Sequence, residues 1–146
     1  MPFSYSRIVR FRDTDAAGVV YFAAILSMCH EAYEASLAAA GIDLKQFFRG
    51  AEGYALPIVH TSADFHRPLL CGDAIAIVLT ADLLNEGKFE TRYQLFAKAG
   101  ENQDRLLASA IAIHVCIDSR QRVKRALPDT IHRWLQLVQQ ESNPSA

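Results

Sequence analysis

The chain has 146 residues, of which 51% are hydrophobic and 21% are charged. A chain of this length is typical of one domain with a compact core. Its 15 basic and 16 acidic side chains give a net charge of -1, so no overall charge attracts it to nucleic acid or to an anionic membrane. We therefore expect no nucleic-acid partner.

The cysteines and the longest apolar run predict the compartment. The cysteines are odd in number and widely spaced: Cys29, Cys71 and Cys116. Without a CxxC pair they are typical of buried thiols in a reducing compartment, so we expect a cytoplasmic protein. Residues 16–29 are apolar, but Glu31 and Glu34 follow too soon for the roughly 20 residues of a membrane-spanning helix. No signal peptide is visible at the N-terminus.

The first two predicted elements are a strand and a long helix, joined by an acidic turn. Polar and apolar side chains alternate from Arg7 to Arg12, which predicts a half-buried strand. Apolar side chains at helical spacing predict a helix from about Tyr21 to Ala40, ended by Gly41. Because this helix is apolar around most of its circumference, we expect other elements to cover it on several sides.

Further helices and strands follow in the second part of the chain. A short amphipathic segment at residues 44–48 predicts a short helix. Four strands are predicted between turn-forming residues, over Leu56 to Phe65, Ala74 to Leu84, Lys88 to Ala99 and Leu106 to Ile117. Pro128 and Asp129 begin a C-terminal helix that we predict to end at about Gln140.

The order of these elements predicts the fold class. Short connections between consecutive strands imply antiparallel neighbours. A strand, a long helix, four strands and a short helix together predict an α+β fold. In this fold, one curled antiparallel sheet of about five strands wraps around the long helix. We expect a single domain over residues 1–146, without repeats or linkers.

The turn between the first strand and the long helix is the candidate active site. Asp13, Thr14 and Asp15 are turn formers, and Gly18 tolerates backbone angles that a side chain resists. One explanation is that one of the three polar residues caps the helix. The other is a catalytic carboxylate beside the free amides of the first helical turn. Residues 18–22 are apolar and would shelter this carboxylate from water, which raises its basicity.

Residues 13–22, Asp-Thr-Asp-Ala-Ala-Gly-Val-Val-Tyr-Phe, resemble the signature of the 4-hydroxybenzoyl-CoA thioesterase family of hotdog-fold enzymes. The family pattern is D-x-D-x-x-G, then two β-branched residues and an aromatic pair. The predicted elements fit the hotdog domain over roughly residues 4–125. Segments at 28–34, 55–60, 64–65 and 71–73 are similar to the subgroup that hydrolyses 1,4-dihydroxy-2-naphthoyl-CoA in phylloquinone biosynthesis. The resemblance implies an aromatic acyl-CoA thioesterase without a cofactor.

The same resemblance assigns roles to single residues. It implies that Asp15 is the catalytic carboxylate, as a nucleophile on the thioester or as a base toward water, and that Asp13 supports the turn. The backbone amide of Phe22 would bind the thioester oxygen, and Gly18 would let the backbone close around it. Tyr21 is a candidate substrate contact. The family's pocket lies between two protomers, which implies a homodimer that assembles to a homotetramer.

Relatives bind the phosphates of coenzyme A with a basic cluster near the turn before the fourth strand. Here that turn contains one basic residue, Lys88, next to an acidic one, Glu86. Lys88 and Arg92 are candidate substrate contacts, and the basic run at residues 120–125 is another source of positive charge. For each of them, a solvated charged face is the alternative explanation.

Two histidines lie in predicted strands. His60 is a candidate to hydrogen-bond an aromatic acyl group, although a lone strand histidine is more often packed in the interior. His114 alternates with Ile113 and Val115, which is typical of a structural histidine. The five histidines match no metal-binding spacing, so we predict no metal.

Other functions fit the same features. One is a thioesterase of broad specificity for short-chain or aliphatic acyl-CoA. Another is a non-catalytic module that binds acyl-CoA or an acyl-carrier protein, because a fold does not fix a function. Such a module has no need of a carboxylate at the mouth of the helix. A dehydratase is disfavoured, since related dehydratases carry a histidine where the acids lie and the first histidine here is His30.

Overall fold

The computed structural model describes residues 1–139, in which an antiparallel sheet packs against one long helix. The strands are β1 (Phe3–Ile8), β2 (Tyr54–Ala55), β3 (Ile58–Phe65), β4 (Ala74–Asn85), β5 (Lys88–Ala97), β6 (Leu106–Val115) and β7 (Ile117–Asp118). The helices are α1 (Phe22–Ala39), α2 (Leu44–Phe48) and α3 (Asp129–Val138), with one 3-10 turn at Phe11–Asp13. The predicted α+β class is confirmed.

The main sheet has the order β1-β4-β5-β6-β3, and every neighbouring pair is antiparallel. Strands β4, β5 and β6 follow one another through short turns, as predicted. The prediction that consecutive strands are neighbours is wrong for β3 and β4, because residues 66–73 carry the chain across the sheet between them. Among the described residues, β3 is therefore an edge strand that pairs with β6 alone.

One face of the sheet forms the core against α1. Alternate residues of each central strand are buried, as a strand's period of two requires: Ile75, Ile77, Leu79 and Ala81 on β4, Phe89, Thr91, Tyr93 and Leu95 on β5, and Ala108, Ala110, Ala112 and His114 on β6. The small alanines of β6 let the helix approach closely, and the isoleucines of that strand occupy the other face.

Helix α1 buries only one side within the chain. Its buried residues repeat at helical spacing: Ala24, Ile25, Met28, Cys29, Ala32, Tyr33, Ser36 and Leu37. Phe22, Ala23, Ser27 and Ala38 are exposed on the opposite side. The expectation that other elements cover α1 on several sides is therefore wrong for a single chain. The predicted end is confirmed, since Gly41 follows the helix with φ +86°, a conformation that favours glycine.

The first strand lies earlier than predicted. Strand β1 ends at Ile8, which pairs with Ala74, the first residue of β4. Val9 still exchanges backbone hydrogen bonds with Gly72 and Asp73, but within residues 1–139 no strand pairs with the alternating residues that follow it. Phe11 is 84% exposed and begins the 3-10 turn.

Helix α3 closes one end of the core through Trp134. This side chain is 1% exposed, packs against Tyr33 and Phe89, and donates from Nε1 to Ser36 Oγ at 3.0 Å. The helix ends at Val138, and the predicted end at Gln140 lies outside the described residues. Within residues 1–139, no helix has the length and apolar character needed to cross a membrane.

Candidate active site

Residues 14–20 form a tight loop between the 3-10 turn and α1. Thr14 and Val20 form an isolated β-bridge, and Asp15 N donates to Val19 O at 3.1 Å. Gly18 N donates to Asp15 O at 3.0 Å, and Gly18 has φ +83°. A side chain is strained at that φ, so the loop requires glycine there.

The base of this loop is anchored to the segment that follows β3. Val20 N donates to Leu69 O at 2.9 Å, and Val19 forms a β-bridge with Leu70. Val20 and Leu69 are both buried. The loop is therefore fixed at its base while its tip, residues 15–18, is exposed.

None of the three polar turn residues caps α1, so the capping explanation is wrong. The helix is preceded by Tyr21, and no side chain within residues 1–139 bonds to its first amides. Thr14 Oγ1 donates to Phe11 O at 2.7 Å, and Asp15 Oδ1 accepts from Ala17 N at 2.8 Å. Among the described residues, the amide of Phe22 has no hydrogen-bond acceptor. The start of α1 thus presents a free donor with the partial positive charge of a helix N-terminus.

The two aspartates of the turn lie in different surroundings. Asp13 is 5% exposed, and its oxygens accept from Arg7 Nη1 at 2.6 Å, Arg7 Nη2 at 3.1 Å and Arg10 N at 2.8 Å. Burial alone would raise the pKa of Asp13, but these hydrogen bonds outweigh it and lower the pKa below its usual value. Asp15 is exposed, and its Oδ2 has no partner within residues 1–139. Of these two aspartates, Asp15 is therefore the one with an exposed, unbonded carboxylate oxygen.

The predicted shelter for Asp15 is absent in the single chain. Val20 is used to anchor the loop in the core, whereas Tyr21 is 40% exposed and Phe22 is 55% exposed. These two aromatic side chains lie next to the loop without excluding water from it. The expectation that residues 18–22 of the same chain bury the carboxylate is wrong, because α1 leaves this side uncovered.

The other predicted contact residues are not gathered at this turn within one chain. His60 is exposed on the edge strand β3. Arg92 is on the sheet face opposite α1, where it pairs with Glu90 at 2.7 Å. Lys88 lines a cleft of about 210 Å³ together with Lys124, a member of the basic run at residues 120–125. This last pair brings together two positive charges that are distant in sequence.

His114 is packed in the core, as predicted for a structural histidine. It is 1% exposed, and its ring stacks on Phe89 with a centroid distance of 4.8 Å and an interplanar angle of 7°. Its Nδ1 lies 2.9 Å from Leu56 O, which fixes that nitrogen as the protonated one. Burial lowers the pKa of His114 to about 4.

Sequence reasoning missed Arg7 and Glu31. Arg7 Nε donates to Glu31 Oε1 at 2.7 Å, Arg7 Nη2 donates to Glu31 Oε2 at 3.1 Å, and Tyr5 OH donates to Glu31 Oε1 at 3.2 Å. Phe3, Tyr5 and Arg7 share the less exposed face of β1. An arginine at a core-facing strand position could have indicated this contact. The sequence analysis missed it because it placed the first strand too late in the chain.

Residues 1–139 contain no group of three His, Cys, Asp or Glu side chains that could hold a metal ion. The expectation that the protein works without metal stays a prediction. A carboxylate with a free oxygen and a helix amide with a free hydrogen are the parts needed to attack and polarise a carbonyl.

Known proteins of similar sequence match nearly the whole chain. Residues 9–135 match the model of the Thioesterase-like superfamily. A 1,4-dihydroxy-2-naphthoyl-CoA hydrolase from Crocosphaera subtropica is 51% identical over 138 residues, which are 94% of this chain and 98% of that protein. A protein of the same name from Synechococcus elongatus is 44% identical over 136 residues, 93% of this chain and 96% of that protein.

A solved structure agrees with the fold as well as with the sequence. The crystal structure of a 1,4-dihydroxy-2-naphthoyl-CoA thioesterase from Synechocystis has a TM-score of 0.83 and 39% identity to this chain. The match covers 93% of this chain and 96% of that one. The resemblance carried by residues 13–22 is thereby confirmed, and the chain belongs to the thioesterase-like superfamily of hotdog-fold proteins.

Proposed function

We propose that the protein hydrolyses 1,4-dihydroxy-2-naphthoyl-CoA to 1,4-dihydroxy-2-naphthoate and coenzyme A, a step of phylloquinone synthesis. Relatives with 44% and 51% identity over nearly their full length carry this activity in their names. The observation that carries the proposal is the free Asp15 carboxylate on the loop that leads directly into the free Phe22 amide.

The Phe22 amide polarises the thioester in this proposal. Its N–H donates to the carbonyl oxygen, and the bond strengthens as that oxygen becomes negative in the tetrahedral intermediate. The N-terminal end of α1 adds a partial positive charge at the same place. Removing one donor of this kind typically costs on the order of 10²–10³ in rate.

Asp15 supplies the attack by one of two routes. As a nucleophile, a carboxylate oxygen adds to the thioester carbon and expels the coenzyme A thiolate, and water then hydrolyses the resulting anhydride. As a general base, Asp15 takes a proton from water while that water attacks the same carbon, and the proton passes to the departing sulfur. Both routes consume one water and release one carboxylic acid and one thiol.

We expect the missing cover over Asp15 to come from a second copy of the chain, in a homodimer that assembles to a homotetramer. The loop tip and the aromatic pair Tyr21 and Phe22 are exposed in the single chain. Edge strand β3 also exposes apolar side chains, with Val59 at 56% and Phe65 at 40%. An open edge with apolar residues favours pairing with another chain. In such an assembly, Tyr21 and His60 are candidates to contact the acyl group.

For the coenzyme A moiety, we propose Lys88 as a phosphate contact. Lys88, Lys124 and Arg125 line the same cleft as the acidic Glu86, so positive charge is in excess where a pyrophosphate or phosphate would bind. Arg92 is the second candidate. It is paired with Glu90 on the sheet face opposite α1, so it could contact a substrate bound between two chains only if the substrate lies on that face. We expect the enzyme to work in the cytoplasm, without a cofactor or metal.

The test is hydrolysis by the purified protein, with thiol release from 1,4-dihydroxy-2-naphthoyl-CoA or from the more stable benzoyl-CoA. Asparagine at position 15 keeps the shape and removes the basic oxygen, so Asp15→Asn should lower kcat by about 10²–10⁴-fold. Asp104→Asn is the matched control, because Asp104 is an exposed turn residue with positive φ, which asparagine tolerates. Full activity of Asp15→Asn would refute the proposed mechanism.

Three further measurements define the reaction. A substrate panel tests the acyl group, and preference for short or aliphatic chains would replace the naphthoyl assignment with a broad thioesterase. If the protein binds acyl-CoA but releases no thiol, the non-catalytic binding module is the correct function. A single turnover in water labelled with heavy oxygen tests the nucleophilic route. An unlabelled first product identifies an anhydride opened at the Asp15 carbonyl, whereas the general-base route and an anhydride opened at the acyl carbonyl both label it.

A further inference from the structure

One buried arginine connects the sheet, the acidic turn and helix α1. The Arg7 side chain is 6% exposed, and its guanidinium makes four hydrogen bonds to two carboxylates. Two of them go to Asp13, at 2.6 and 3.1 Å, and two go to Glu31, at 2.7 and 3.1 Å. We call these three residues the Arg7 cluster. Such fork-shaped pairs fix direction as well as distance.

The Arg7 cluster joins the two segments that carry the groups of the proposed reaction. Asp13 lies two residues before Asp15, and Glu31 lies on the same helix as the Phe22 amide. Arg7 itself is fixed by the pairing of β1 with β4, opposite Ile75. The loop that joins Asp15 to Phe22 is anchored at its base but exposed at its tip. The cluster therefore adds a second, rigid connection between the carboxylate and the amide.

We propose that Arg7 is a positioning residue for thioester hydrolysis, which sets the Asp15 carboxylate relative to the Phe22 amide by holding Asp13 and Glu31 together. This inference rests on the proposed roles of Asp15 and Phe22. In this proposal Arg7 acts through its neighbours, since all its donors are directed at the two carboxylates or at Ile8 O. A displacement of about 1 Å between reacting groups costs on the order of 10² in rate. We therefore expect the loss of Arg7 to lower kcat.

A purely structural role is the competing explanation, because removing Arg7 leaves two carboxylates near each other without a cation. Activity loss by unfolding would lower the amount of active enzyme and leave kcat per folded molecule unchanged. The test must therefore measure kcat and KM on the folded fraction, at a temperature well below the unfolding transition of each variant. Circular dichroism at the assay temperature gives that fraction.

Arg7→Lys and Glu31→Gln are the informative variants. Lysine carries a single ammonium that cannot bond both carboxylates in the fork geometry, and glutamine keeps the length of Glu31 without its charge. For Arg7→Lys we expect kcat to fall about 10- to 100-fold with KM changed less than about 3-fold. For Glu31→Gln we expect a smaller fall in kcat in the same direction. Arg105→Lys, the same substitution at an exposed residue in the β5–β6 connection, should leave both constants unchanged.

Two further variants distinguish a positioning role of Arg7 from a purely structural one. Trp134→Phe removes a buried hydrogen bond remote in sequence from the turn and should destabilise the fold without changing kcat. Arg7→Ala leaves a gap between two carboxylates, and added guanidinium ion at sub-denaturing concentration should restore part of kcat, whereas methylammonium should not. If guanidinium restores kcat and methylammonium does not, the result supports the inference that Arg7 positions Asp13 and Glu31 through its fork-shaped pairs of hydrogen bonds.

Several results would overturn the inference. It is wrong if folded Arg7→Lys turns over at the wild-type kcat while Asp15→Asn is inactive. It is also wrong if Trp134→Phe loses as much kcat as Arg7→Lys, because any destabilisation would then suffice. Full activity in Asp15→Asn would refute the proposed role of Asp15, and absence of thiol release from the wild-type protein would refute the proposed function, which keeps these failures distinct from that of the Arg7 inference.

Discussion

Acidification is expected to destabilise the fold through buried His114. The ring is 1% exposed, and burial lowers its pKa from 6.5 to about 4 in the native state. Between these two values the unfolded chain binds a proton that the native protein does not bind. The contribution of His114 to stability is therefore complete above pH 6.5 and is lost as the pH falls towards 4.

The size of this effect follows from the two pKa values. Each pH unit between them is worth about 1.4 kcal/mol, so the full effect is about 3 kcal/mol, and about 2 kcal/mol is lost by pH 5. Total stabilities of single domains are about 5–15 kcal/mol, so such a loss is readily measured. Burial also lowers the pKa of half-buried His30, with the same sign, although Glu34 opposes that shift.

The assay is urea unfolding at pH 7.5 and pH 5, at one fixed protein concentration because association shifts apparent stability. His114→Phe retains a ring to stack on Phe89 and removes the titrating group. The variant loses the bond to Leu56 O, which costs about 1–2 kcal/mol at both pH values. The loss between the two pH values should nevertheless shrink by about 2 kcal/mol.

Two control variants isolate the buried ring. His66→Asn changes an exposed histidine and should keep the pH dependence of the wild type. His30→Gln measures the separate share of the second shifted histidine. If His114→Phe remains as sensitive to acid as the wild-type protein, the assignment of the effect to His114 is refuted.

Two other predictions concern the core. Trp134→Phe should lower the free energy of unfolding by about 1–2 kcal/mol, because Ser36 Oγ loses the buried donor that lies 3.0 Å away; an unchanged melting temperature would contradict this. Native protein treated with a thiol reagent should be modified at exposed Cys71 alone, since Cys29 and Cys116 are buried and burial raises the pKa of Cys29 to about 12. Mass spectrometry should find one label before and three after unfolding, and early labelling of Cys29 would contradict the described packing.

Local patterns in the sequence predicted most elements. The helical spacing of α1, its end before Gly41 and the alternation in β4, β5 and β6 all reflect backbone geometry within a few residues. The acidic turn could be recognised for the same reason, because a short motif carries its own turn chemistry. The end of β1 could not be predicted in this way, since it depends on where its partner β4 begins.

The amino-acid sequence by itself determined the family, the long helix and the position of Asp15 on the turn before it. The tertiary structure alone decided that β3 lies at the edge beside β6, that Asp13 is bound by Arg7, and that Asp15 is exposed in a single chain. The physical reason is range. Periodicity is a property of neighbouring residues, whereas strand order and the Arg7–Glu31 contact join residues far apart in the chain and form only when the whole core packs.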